Sequence, residues 1–111
     1  MGQNAAMLVA EVGVPTEGLV TIRLRGEFDM AGVGAFTDAI NAARADGPMV
    51  VELDLSDVGF IDSSGVGAIV VAARTVATHG SKIRIGARSR VVDRVLEVSG
   101  LEVALDGQLG D

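Results

Sequence analysis

The chain has 111 residues, the size of one domain, and 49% of them are hydrophobic, so a core can form without metal or disulfide help. With three Phe and no Trp or Tyr the core must be aliphatic, and with no Cys, thiolate catalysis, disulfide control and Cys-based metal sites are excluded. A net charge of −6 argues against nucleic acid as a partner, because such affinity comes largely from Lys and Arg neutralising phosphates; partners with basic or mixed surfaces suit it better.

Residues 1–14 carry no basic stretch ahead of their apolar residues and do not read as a signal peptide. The longest nearly apolar run, 65–73, is far short of the roughly 20 residues that span a bilayer. A single cytoplasmic domain over 1–111 is expected, with no membrane partner, a core over about 8–105 and a short tail at 106–111.

Met7 to Val12 reads as a first strand, and Gly13, Pro15 and Gly18 as a turn. Leu19 to Arg25 alternates, with Val20, Ile22 and Leu24 on one side and Thr21, Arg23 and Arg25 on the other; Gly26 is expected to end it. Asp29 is placed to cap a helix over Met30–Ala45 with Val33, Phe36, Ile40 and Ala43 on one face. Gly47-Pro48 closes that helix, and Met49–Leu55 is a second alternating strand. A loop over Ser56–Asp62 then leads to a helix opening at Ser63 or Ser64, whose inward stripe is Val66, Ile69, Val70, Ala73, Val76 and Ala77. Lys82–Ile85 is a strand, Arg90–Ser99 a helix stopped by Gly100, and Glu102–Leu105 a last short strand. The order ββαβαβαβ implies α/β with a mixed, mostly parallel sheet of about five strands. Because two strands alternate, helices are expected mainly on one face.

The informative stretch is Asp54 to Gly67, where a strand gives way to a helix that opens on Asp62-Ser63-Ser64-Gly65. Unpaired backbone N–H groups and the positive end of the helix dipole meet at such a place. A serine there can cap the helix, and a phosphate attached to one would find donors. Both roles are open to Ser63 and Ser64, one serine capping while the other is modified.

This stretch resembles the signature of STAS-domain anti-sigma factor antagonists. Two further segments match in order and spacing: Leu24-Arg25-Gly26-Glu27-Phe28-Asp29 upstream, and Val95 to Leu101 downstream. The resemblance implies a STAS-type fold and a regulatory binding protein. When unphosphorylated it would sequester an anti-sigma factor, a serine kinase, and free a sigma factor. Phosphorylation of Ser64, the serine before the Gly, would release it, and a phosphatase would reset it. Asp29 and Asp62 match acidic positions beside that serine, so Asp29, Asp62, Ser63, Ser64 and Gly65 form the implied partner-binding set. The alternative is a STAS-like subunit of a transporter or signalling scaffold. Family members carry a further C-terminal helix, for which 107–111, with two glycines, is poorly suited.

Other constellations carry less. His79 is the only His, and no ligand set is spaced for a metal, so no metal and no cofactor are expected; the His suits the end of the second helix. Neither serine has the flanking glycines of a nucleophile elbow, and His79 lies about 20 Å down the helix from them. No catalytic residues and no enzymatic activity are therefore expected. Lys82, Arg84, Arg88, Arg90 and Arg94 hold five of nine basic residues, either as a solvated face or as a site for an acidic group. Arg23 and Arg25 could pair with Glu52 and Asp54 across neighbouring strands.

Overall fold

Alternation of apolar and polar residues sets the sheet. In the computed structural model, which describes residues 7–101, four strands are ordered β1-β2-β3-β4: β1 Val9–Val12, β2 Leu19–Phe28, β3 Val50–Ile61 and β4 Lys82–Arg88. β1 pairs with β2 antiparallel; β2–β3 and β3–β4 are parallel. Three helices follow the order read from sequence: α1 Val33–Ala43, α2 Ser63–Ala77 and α3 Arg90–Ser99. Two right-handed crossovers that step the same way across a sheet put α1 and α2 on the same face. The expected fifth strand, Glu102–Leu105, and the tail lie outside the described residues.

Val20, Ile22, Leu24, Val51, Leu53 and Leu55 are buried under the helices with Phe36, Ile40, Ile69, Ala73, Val92 and Leu96. Phe28 and Phe36 meet with ring centroids 5.0 Å apart and tie α1 to the end of β2. The opposite face carries ion pairs: Arg23 Nε to Asp54 Oδ2 at 3.8 Å, as expected, and Arg84 Nε donating to Glu52 at 3.0 Å. Arg25 instead pairs with Glu11 of β1 at 3.8 Å, because the register sets it opposite Asp57 rather than Asp54. The basic cluster is divided: Lys82 and Arg84 are exposed on β4, Arg88 lies 3.8 Å from Asp93, and Arg90 and Arg94 lie on α3.

Several boundaries differ from the sequence reading: β4 runs on to Arg88 instead of ending at Ile85, β1 starts at Val9 rather than Met7, and three further differences bear on the site. Gly26 does not end β2; the strand passes through it at φ 102° and runs on to Phe28. The segment Ser56–Asp62 is not a loop, since β3 continues to Ile61. Its register against β2 shifts twice, between Arg23/Arg25 and between Gly26/Glu27, each shift adding one residue to β3. Buried positions therefore fall at Leu55, Val58 and Ile61, a spacing of three that hides the strand from a period-two search. The helix expected over Met30–Ala45 begins with a separate 3-10 turn at Met30–Gly32, and its α part ends at Ala43.

At the first shift, Ser56 Oγ donates to Asp54 Oδ1 at 2.6 Å and Ser56 N at 3.0 Å. The hydroxyl bond, then the backbone bond, hold the Asp54 carboxyl below its ordinary value against the opposing effect of burial, and Arg23 adds the weakest contribution. A depressed folded pKa contributes stability that is present above the unfolded pKa and is lost as pH falls through the folded one. Ser56→Ala removes the larger of the two bonds. A carboxyl NMR titration should find the Asp54 pKa raised, and the acid-side loss of stability reduced; an unmoved pKa would contradict the assignment.

Candidate functional site

The stretch Asp62-Ser63-Ser64-Gly65 lies where β3 ends and α2 begins, beside the end of β2. Phe28 and Ile61 are register partners, so Asp29 and Asp62 each stand one residue beyond paired strand ends. Asp62 N donates to Phe28 O at 3.4 Å, closing this edge.

The helix cap is neither serine. Asp62 is the N-cap, with extended backbone, and its Oδ1 accepts from Ser64 N at 2.9 Å and Gly65 N at 3.2 Å. An aspartate one position before the serines gives a carboxylate the right reach to the second and third N–H groups, and its charge suits the positive helix end. Two consequences follow. Both hydroxyls are released from capping, and no hydrogen bond from Ser63 Oγ or Ser64 Oγ is present among the described residues. The donors expected to await a phosphate are also already taken by Asp62 on Ser64 N and Gly65 N. A phosphate on either serine would have to compete with a carboxylate of like charge or point away from the helix.

Asp29 does not cap through its side chain. It precedes the 3-10 turn, and only its carbonyl engages, accepting from Gly32 N at 3.0 Å. The carboxylate is left half-exposed at the strand end.

Successive helical residues point about 100° apart, and the two serines accordingly face different surroundings. Ser63 is exposed and borders a groove between α2 and α3 of about 480 Å³, with Asp62, Val66, Arg94, Val95 and Val98. Ser64 is half-buried at the mouth of a groove of about 580 Å³ between α1 and α2, lined by Met30, Val33, Ile40, Ala68 and Val71 among others and by no charged residue. Gly65 is buried beneath both. A Cβ there would lie 2.5 Å from Phe28 O and 2.9 Å from Ile61 Cγ1, so only glycine allows α2 to start against the strand ends.

Sequence reasoning missed the cap and the two grooves. Asp62 could have been recognised from Asp-x-x before a helical run; the grooves needed the packing of α1 and α3. At the far end of α2, His79 Nδ1 lies 3.2 Å from Thr75 O, consistent with its expected place at the helix end. Among the described residues no group of His, Asp and Glu could hold a metal ion, and no helix is long and apolar enough to cross a membrane.

Asp62→Ala should lower stability by about 1 kcal/mol, and Asp62→Asn by much less, since Asn caps nearly as well. Ser63→Ala should leave stability unchanged. Urea unfolding of the three variants checks this; a loss confined to Ser63→Ala would return the cap to the serine.

A family model described as Mlab, STAS domain, matches residues 15–109. The anti-sigma-F factor antagonist RsfB of Mycobacterium tuberculosis is 31% identical over 87 residues, 77% of this chain and 69% of that protein. An anti-sigma-B factor antagonist of Staphylococcus aureus is 25% identical over 81 residues, 73% of this chain and 75% of its own. Among solved structures, an anti-sigma factor antagonist from Mycobacterium paratuberculosis superposes with a TM-score of 0.73 at 26% identity, covering 93% of this chain and 92% of the other. The antagonist SpoIIAA in its unphosphorylated form gives 0.68 at 27% identity, covering 93% and 98%. With the three sequence motifs, the four-stranded mixed sheet and a family match over most of its length, the chain belongs to the STAS domain family.

Proposed function

We propose that this chain is an anti-sigma factor antagonist switched at Ser64. Unmodified, it binds an anti-sigma factor of the serine-kinase type through the surface around Asp29, Asp62, Ser63 and Ser64, with Gly65 setting the position of the helix; phosphorylated at Ser64, it lets go, and a phosphatase restores it. The activity is regulatory rather than catalytic, belongs in the cytoplasm, and is carried by one domain over 1–111. The observation that carries this is the release of Ser64 from capping by Asp62, which leaves a half-exposed hydroxyl without a hydrogen bond among the described residues at the mouth of an uncharged groove.

The relatives support the reading. Those matched over most of their own length are named as antagonists of anti-sigma factors, and SpoIIAA has been solved in a phosphorylated form too, at 27% identity and a TM-score of 0.63 over 86% of each chain. The likeness to a murine solute carrier 26 anion transporter, 16% identical over 18% of that chain, concerns the fold alone.

The test uses purified chain and the anti-sigma factors encoded in the source genome. One of them should bind it without ATP; with ATP, a kinase among them should place a single phosphate on Ser64, read by mass spectrometry. Binding to none, or label on any residue other than Ser64, would overturn the reading.

A further inference from the structure

Gly67 lies in the interior of α2, within a turn of both serines. Glycine there weakens a helix, because it orders the most flexible backbone and contributes no side chain to packing. At Gly65 the reason for glycine is lack of room. At Gly67 that reason fails: a Cβ would meet nothing within 4 Å, and the backbone is helical.

The bare backbone of Gly67 lies where the two grooves meet, lining the α1–α2 groove with Ser64 and the α2–α3 groove with Ser63. Apolar side chains stand exposed along them: Met30 at 75% and Val71 at 61% on one side, Val98 at 86% on the other. Adjoining exposed apolar groups of this kind mark a contact surface, and this one is continuous with Ser64. The α1–α2 groove offers a partner no charge to pair with, so what enters it is apolar.

We infer that Gly67 is a contact residue for the anti-sigma factor: an apolar ridge of that partner closes on the α2 backbone at Gly67, with its flanking side chains in the two grooves. The inference rests on the antagonist reading and adds to it the surface and chemistry of the partner. A methyl group at Gly67 would keep the ridge off the helix while helping the helix itself, so stability and binding should move in opposite directions.

Thermal unfolding and calorimetric titration of Gly67→Ala, against each purified anti-sigma factor of the source genome in turn, decide it. The variant should melt higher by roughly 4–8 °C and bind about tenfold more weakly or worse. Gly34→Ala is the control, because a Cβ there also meets nothing within 4 Å and Gly34 lines neither groove; it should bind as the wild type does. Equal binding by Gly67→Ala overturns the inference and leaves the antagonist reading standing. A lowered melting temperature also overturns it, by making Gly67 a packing residue. A wild-type chain that binds no anti-sigma factor overturns the antagonist reading, and this inference with it.

Discussion

Ser64→Glu should weaken anti-sigma binding by on the order of a hundredfold, while Ser64→Ala binds like the wild type and can no longer be switched off. A charge buried without a partner costs several kcal/mol, and each 1.4 kcal/mol is about tenfold in affinity. At Ser64 nothing offsets that cost. The groove it borders has no charged lining residue, and Asp62 already holds the N–H groups of Ser64 and Gly65. A phosphate brings about −1.5 to −2 charges to the same place, with more bulk than a carboxylate, so phosphorylation should act in the same sense and more strongly. Ser63→Glu should be milder, because its groove is lined in part by the Arg94 side chain. Calorimetry of the four proteins with the cognate anti-sigma factor gives the answer. Tight binding by Ser64→Glu together with weak binding by Ser63→Glu would move the switch to the neighbouring serine.

Gly65→Ala should be among the most destabilising single-methyl changes in the chain, by about 1–3 kcal/mol. The added carbon would fall 2.5 Å from a backbone oxygen, Phe28 O, which no side-chain rotation can move. That oxygen also accepts from Asp62 N, so relief requires α2 to separate from the strand ends or β2 to bend. Either displaces Asp62 and both serines together. The melting temperature should drop by roughly 4–8 °C per kcal/mol, and amide shifts should change most at 28, 61 and 62–66. An unchanged melting temperature with unperturbed shifts would mean that the close approach is not tight. Gly65→Ala and Gly67→Ala, two residues apart on one helix, are thus expected to change stability with opposite signs.

Where period-two or helical spacing was uninterrupted, the fold was legible. Val20, Ile22 and Leu24, and Val51, Leu53 and Leu55, are buried as their alternation implies, and of the expected α1 stripe Phe36, Ile40 and Ala43 are buried and Val33 half-buried. The second half of β3 was not legible, because two added residues replace alternation with a spacing of three. The glycine at 26 read as a terminator, although an extended strand tolerates glycine at a bend. Within the candidate site, residue types pointed to the four-residue turn at which β3 gives way to α2. They did not decide which oxygen caps the helix, since Asp, Ser and Ser in succession are all good caps and only backbone geometry distinguishes them. That Ser63 and Ser64 face different grooves followed from the placing of α1 and α3, which no local pattern encodes.

The two register shifts in β3 make this strand tolerant of length changes at two points and intolerant elsewhere. Removing one residue at Ser56–Asp57, or one at Gly59–Phe60, would restore regular pairing with β2 and keep Val58 and Ile61 pointing inward. The same deletion at Glu52 would turn Leu53 and Leu55 out of the core, because every later side chain changes face. Deletions compatible with the fold should therefore gather at these two joints, immediately upstream of the turn at Asp62–Gly65. There they would change the local twist of the strand while leaving the Phe28–Ile61 pairing, and with it the place of the Asp62 turn, unchanged.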